Sequence, residues 1–177
     1  LVSNTYTINF SYGSGIMVEG TGILLNNEMD DFSAKPGIPN AYGLLGGEAN
    51  AIEPGKRPLS SMTPTLVFKD GRPWLATGSP GGSRIITTTL QVLLNVIDHE
   101  MNIAEATAAP RVHHQWWPDE LRVEPGLSPD TMALLRARGH DVVVKPTMGS
   151  TQSIMVTEDG ITGASDPRRP GALTIGY

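Results

Sequence analysis

Two periodicities divide the chain. Alternating or β-branched apolar runs predict strands over Thr5-Tyr6-Thr7-Ile8-Asn9-Phe10 and Gly22-Ile23-Leu24-Leu25-Asn26-Asn27. Between them lie the turn Gly13-Ser14-Gly15 and a short apolar piece, Ile16-Met17-Val18. Thr65-Leu66-Val67-Phe68 and Pro73-Trp74-Leu75-Ala76-Thr77 flank Lys69-Asp70-Gly71-Arg72, whose Asp-Gly pair predicts a tight hairpin turn. From Ser83 the apolar positions Ile85, Ile86, Leu90, Val92, Leu93, Leu94, Val96 and Ile97 describe a helix that is apolar over most of its circumference. Such a helix is expected to be buried. A short second helix is predicted over Ile103 to Ala109, stopped by Pro110. A strand follows at Leu121-Arg122-Val123-Glu124. Ser128 as N-cap and Pro129 at the first helical position start another helix that ends at Gly139. Further strands are predicted at 141–145, 152–157 and 161–164, the last two joined by Glu158-Asp159-Gly160. Strands, then helices, then strands with mostly hairpin connections make an α+β pattern, an antiparallel sheet with helices packed on it.

Residues 32–58 fit neither period, because Pro36, Gly37, Pro39, Gly43, Gly46, Gly47, Pro54, Gly55 and Pro58 interrupt them. A stretch of this length without regular structure is usually disordered or a functional lid. Tyr42 and Leu44-Leu45 give it apolar content and favour an ordered surface loop.

Composition narrows the classes of function. A length of 177 residues suits a single domain with a sizeable core. The net charge of -5 and pI near 5.3, with no run of Lys or Arg, argue against nucleic acid as a partner. Small molecules or another protein chain are expected instead. The absence of cysteine excludes disulfides and thiol catalysis from this chain. No apolar run approaches the ~18 residues of a membrane span. The chain opens on Leu1-Val2-Ser3 directly before its first predicted strand, with neither an initiator Met nor a signal peptide. It reads as a processed subunit or an incomplete chain.

Several short motifs could carry chemistry. Gly78-Ser79-Pro80-Gly81-Gly82-Ser83 places glycines before a helix start, where unpaired N–H groups and the helix dipole favour an anion. The spacing matches neither a P-loop nor a dinucleotide fingerprint, so an oxyanion or a plain strand-to-helix turn are the readings left. Glu28, Asp30 and Asp31 put three carboxylates within four residues. They are either a solvated acidic turn or a pocket for a cation such as an amine, and the ladder of a calcium loop is missing. Ser60 and Ser61 stand between Pro58 and Pro64, as turn residues or as donors to a carboxylate. His113-His114 beside Trp116-Trp117 lacks a third metal ligand at a suitable spacing and fits a packing or capping role. No G-x-S-x-G elbow is present. Together the hydroxyls, carboxylates and glycines complement an α-amino acid transferred as an acyl group.

Four segments extend this into a resemblance that runs through the chain in order. Leu24-Leu25-Asn26-Asn27-Glu28-Met29-Asp30-Asp31-Phe32, Lys56-Arg57-Pro58-Leu59-Ser60-Ser61-Met62-Thr63-Pro64, Gly78-Ser79-Pro80-Gly81-Gly82-Ser83 and Gly149-Ser150-Thr151-Gln152 resemble the motifs of the small subunit of γ-glutamyltransferases. The resemblance implies an N-terminal nucleophile hydrolase fold, a four-layer αββα sandwich made when a precursor cleaves itself into a large and a small subunit. It implies a nucleophilic Thr at the new N-terminus, about a dozen residues ahead of Leu1, which cleaves γ-glutamyl amides such as glutathione and passes the acyl group to water or to an amino acid or peptide. Residue by residue, it gives Thr7 a hydrogen bond to the nucleophile, and Asn9, Glu28 and Asp31 the substrate ammonium. Ser60 and Ser61 would hold the α-carboxylate, together with an Arg of the large subunit. Gly81 and Gly82 would hold the oxyanion. Residues 36–47 would form a lid, with Tyr42 as its gate reaching toward Asn9. No cofactor or metal is implied, and a periplasmic or secreted location is. The alternatives are a related acylase of the cephalosporin acylase type, or a non-catalytic amino-acid-binding subunit.

Overall fold

A computed structural model describes residues 1–176. The chain forms two compact units, one of Leu1–Thr5 with Met62–Tyr177 and one of Tyr6–Ser61.

The larger unit is built on a four-stranded antiparallel sheet in the order β1-β2-β6-β7, with β1 at Thr65–Lys69, β2 at Arg72–Gly78, β6 at Gln152–Thr157 and β7 at Gly160–Ser165. Asp70 (φ 52°) and Gly71 (φ 75°) turn the β1–β2 hairpin through two left-handed residues, as the Asp-Gly pair predicts. Helix α1 (Arg84–Ile97) and the short α2 (Ile103–Ala108) pack on this sheet. Asn102 caps α2 in a reciprocal capping box with Glu105. Leu75 of β2, Val92 and Val96 of α1, Ile103 and Ala106 of α2, and Ala164 of β7 form the core between these elements. Each large aliphatic side chain among them contributes roughly 1.5 to 3 kcal/mol by leaving water.

A second sheet holds β3 (Val112–His113), β4 (Leu121–Val123) and β5 (Val142–Val144). Helix α3 (Pro129–Ala137) links β4 to β5 as a crossover, so this pair is parallel, which departs from the wholly antiparallel expectation. β3 was not expected: its two residues pair with Val123 and Arg122. His113 in β3 is buried, with Thr87 Oγ1 at 2.8 Å from Nδ1 and Gln115 Oε1 at 3.0 Å from Nε2, a packing role.

Helix α1 corrects a further expectation. It buries Ile85, Thr88, Thr89, Val92 and Val96, while Ile86, Leu90, Leu94 and Ile97 are between 41% and 52% exposed. Only one face can reach the sheet, and two threonines take positions on it.

Four charged side chains far apart in sequence meet inside this unit. Arg111 donates to Asp166 Oδ2 (2.6 Å) and to the carbonyls of Thr107 (2.8 Å) and Met148 (2.7 Å). Arg168 donates to Glu124 Oε2 (2.6 Å) and Asp166 Oδ1 (3.1 Å). The carboxylates also accept backbone N–H groups, from Thr151 at Asp166 (2.8 Å) and from Met148 at Glu124 (2.7 Å). Burial works against ionisation of both acids, yet these bonds hold their pKa values below the usual range.

The smaller unit contains little regular structure. The strand expected over 5–10 does not form. Asn9 adopts φ 68°, taking its own N–H to Thr7 Oγ1 (2.9 Å), and Phe10 N–H goes to Asn27 Oδ1 (3.0 Å). Side chains thus replace the partners of a ladder. The strand expected over 22–27 is reduced to one bridge, Met17 with Leu24. Gly13 closes this turn so tightly that a Cβ there would lie 2.2 Å from the Leu25 carbonyl oxygen. Segment 32–58 is ordered by bridges from Ser33 to Ala51 and Pro39 to Leu45.

Candidate active site

The smaller unit brings together five of the residues singled out in the sequence. Glu28 and Asp31 lie on one 3-10 turn, Glu28–Asp31, with Asn27 as its N-cap. The Asn9 side-chain amide donates to the Asn27 carbonyl (3.2 Å), and its Oδ1 accepts the Tyr42 hydroxyl (2.9 Å). The Tyr42 ring meets Phe10 edge-on, with centroids 5.7 Å apart. Tyr42 is held in its loop by Asn40, whose Oδ1 accepts from the N–H groups of Tyr42 and Leu44, both at 3.0 Å. The 36–47 loop therefore has a defined shape, and its tyrosine reaches Asn9.

The carboxylates are not a solvated cluster. Glu28 Oε1 and Asp30 Oδ2 are buried without a hydrogen-bond partner. Burial first, then the neighbouring Asp31 carboxyl, push the Glu28 pKa from the usual 4.5 to about 7; Thr7 and the Asn9 N–H pull less strongly the other way. A carboxyl that keeps its proton to near neutrality beside a second acid would ionise more readily if a cation bound next to it. Among the described residues, no group of three potential metal ligands forms a metal site.

The raised pKa has a consequence for stability. Between pH 4.5 and 7 the folded protein holds a proton on Glu28 that the unfolded chain releases. Its contribution is therefore complete below about pH 4.5 and is lost as pH rises through 7. Glu28→Gln removes this slope: the melting temperature of the variant relative to wild type rises between pH 4.5 and 7 and is flat above. A difference independent of pH would show that Glu28 titrates normally.

Ser60 is exposed and Ser61 half-buried, on a segment without regular secondary structure at the end of this unit. Asn50, unnoticed in the sequence, links that segment to the acidic turn by donating to the Asp31 carbonyl (2.7 Å) and accepting Leu59 N–H (2.9 Å). Its only signal was an Asn inside a loop of glycines and prolines.

The glycine pair belongs to the larger unit. Gly81 (φ 143°) and Gly82 (φ 59°) both occupy backbone regions that disfavour side chains. Their carbonyls accept Arg84 N–H (3.2 Å) and Ile85 N–H (3.0 Å), starting α1 one turn early. Their own N–H groups donate to no acceptor among the described residues. Ser83, at the N-cap, gives no capping bond and donates to Gln115 Oε1 (2.8 Å) instead.

Comparison with known proteins shows the family. Residues 1–176 match the family Gamma-glutamyltranspeptidase. The chain is 66% identical over 177 residues to a glutathione hydrolase proenzyme of Escherichia coli K12, covering 99% of this chain and 30% of that protein. It superposes on a Helicobacter pylori gamma-glutamyltranspeptidase mutant with a TM-score of 0.91 at 58% identity, covering 95% of this chain and 93% of the other. A cephalosporin acylase from Bacillus halodurans is more distant, with a TM-score of 0.81 at 31% identity over 97% of this chain and 31% of the other. The chain thus spans about a third of the length of the curated relative, and its α+β fold is the small-subunit part of the αββα N-terminal nucleophile hydrolase fold. A family match over 176 residues, joined to this fold, makes the chain a member of the gamma-glutamyltranspeptidase family.

Proposed function

We propose that this chain is the small-subunit portion of a proenzyme that cleaves itself and then hydrolyses or transfers γ-glutamyl groups, with glutathione and glutamine-type amides as substrates. The observation that carries the reading is the acidic turn: Glu28 and Asp31 share one 3-10 turn bonded to Asn9 through Asn27, and Glu28 Oε1 is buried without a partner, with burial and Asp31 pushing the Glu28 pKa up. A substrate α-ammonium entering there would favour the ionised form of Glu28 and give its Oε1 a donor. Asn9 belongs to the same ammonium subsite, and Thr7 would hydrogen-bond the nucleophile. Ser60 and Ser61 donate to the α-carboxylate, alongside an Arg from the large subunit. Gly81 and Gly82 donate N–H groups to the oxyanion, and Tyr42 gates access through its bond to Asn9.

The reaction follows from these roles. The hydroxyl oxygen of an N-terminal Thr, outside this chain, attacks the γ-carbonyl carbon, and its proton passes through the α-amine to the leaving nitrogen. The C–N bond breaks, the amine departs, and an ester to glutamate is left. Water or an acceptor amine attacks that ester, regenerating the hydroxyl. The tetrahedral oxygen carries negative charge in both steps, which is the charge the glycine loop would hold. A periplasmic or secreted location is part of the proposal, is compatible with a chain free of cysteine, and is tested by cell fractionation.

The test is an assay of the full-length, self-cleaved protein on a γ-glutamyl anilide, on the same anilide lacking the α-amino group, and on a cephalosporin side-chain amide. Turnover confined to the first supports the γ-glutamyl reading. Preference for the cephalosporin amide would make it an acylase, and no turnover with retained glutamate binding would make it a binding subunit. Within the γ-glutamyl reading, Ser60→Ala with Ser61→Ala raises KM about 10-fold for the complete substrate, as two hydrogen bonds to a charged group imply. The double variant should barely distinguish that substrate from one lacking the α-carboxylate. Equal losses on both substrates would leave the serines as turn residues.

A further inference from the structure

If Gly81 N–H is to meet a developing oxyanion, something must aim it, and glycine's own backbone does not. In a trans peptide the carbonyl and the N–H point in opposite directions, so whatever fixes the Pro80 carbonyl also fixes the Gly81 N–H. The Pro80 carbonyl accepts the Ser79 hydroxyl at 2.8 Å. The same hydroxyl oxygen accepts the backbone N–H of Ser150 at 2.9 Å. Ser79 is 4% exposed and its bond to Ser150 is buried, while its bond to the carbonyl of the exposed Pro80 is part-buried.

The surface against which Ser79 is braced is rigid for its own reasons. Met148 and Thr151, on either side of Ser150, are tied to the buried charges: Met148 through Glu124 and Arg111, Thr151 through Asp166. Gly149 (φ 72°) lets the two loops come this close, since a Cβ there would lie 2.7 Å from Ser79 Oγ and 2.9 Å from Thr88 Cγ2. At Gly81, by contrast, a Cβ would meet its neighbours only at 3.8 Å. That is ordinary van der Waals contact without crowding, and the Ser79 bond adds a directional hold on the Pro80–Gly81 peptide.

We propose that Ser79 is a positioning residue: its hydroxyl, braced on the buried 148–151 segment, fixes the Pro80–Gly81 peptide and so aims the Gly81 N–H at the oxyanion. This rests on the γ-glutamyl-transfer reading above. It assigns a purpose to the buried charged quartet, which anchors the brace through Met148 and Thr151.

Ser79→Ala in the full-length, self-cleaved protein tests it. The expected result is a fall in kcat on a γ-glutamyl anilide of about 10- to 100-fold, short of the loss for deleting an oxyanion donor outright. KM stays within about 3-fold. Affinity for a tetrahedral boronate analogue of glutamate falls by the same factor as kcat, while inhibition by glutamate itself is unchanged. A purely structural role would lower the melting temperature and leave the boronate-to-glutamate ratio untouched, and that result, or a kcat within 2-fold of wild type, overturns the proposal. If the Ala variant does not mature, Ser79→Cys, which keeps the volume with a weak S–H donor, is judged by the same two outcomes. A wild-type protein that neither turns over the anilide nor binds the boronate refutes the underlying reading instead, and this inference with it.

Discussion

Gly82→Ala lowers kcat of the self-cleaved enzyme on a γ-glutamyl anilide by about 100- to 1,000-fold, the effect of losing one oxyanion donor, or about 3 to 4 kcal/mol. Gly82 sits at φ 59° and its N–H has no acceptor among the described residues. The Gly81 carbonyl, in the same peptide, is held by Arg84 N–H at 3.2 Å, so the Gly82 N–H is directed away from the helix. An alanine in the left-handed region costs about 1 kcal/mol, and the simplest relief is to rotate that peptide and misdirect the donor. Stability and turnover must be measured on the same preparation, after confirming self-cleavage. A variant that is less stable by about 1 kcal/mol but turns over normally would show a plain turn, with no charge held by the loop.

Asp31→Ala raises KM for the same substrate with kcat little changed, because the ammonium is bound equally in ground and transition states. Removing one partner of a desolvated charge pair costs about 2 to 5 kcal/mol. Asp31 is half-buried, so screening by water favours the lower end, a rise in KM of about 30-fold. Glu28 is left to face the ammonium without the like charge that holds its proton, which limits the damage further. An unchanged KM would remove Asp31 from the substrate site, and a kcat loss at constant KM would place it against the reacting atoms.

The elements that could be read from the sequence are those whose causes lie within a few residues. Asp70-Gly71 dictates its own hairpin, the 3.6-residue spacing after Ser83 dictates α1, and Ser128-Pro129 starts α3. The acidic turn, the serine pair and the glycine pair were visible as residue types at a spacing, and the family resemblance gave them roles. Where local preference meets a stronger distant partner, the predicted element does not form. Thr5 to Phe10 has strand propensity, but Asn27 and Tyr42 capture Asn9 and Phe10 from positions 17 to 33 residues away and bend the chain into the left-handed region. The pattern of α1 could not reveal that a single sheet takes only one face, leaving Ile86, Leu90 and Ile97 exposed.

The sequence by itself determined the α+β order of elements, the short hairpins and the inventory of hydroxyls, carboxylates and glycines, since each depends on propensity and spacing alone. Only the tertiary structure decided that Glu28 holds its proton, that Asn50 couples the acidic turn to the serine segment, and that Arg111, Glu124, Asp166 and Arg168 form one buried cluster beneath the Ser79 brace. Those outcomes depend on desolvation and on groups tens of residues apart coming within 3 Å, and neither has a signature in a linear pattern.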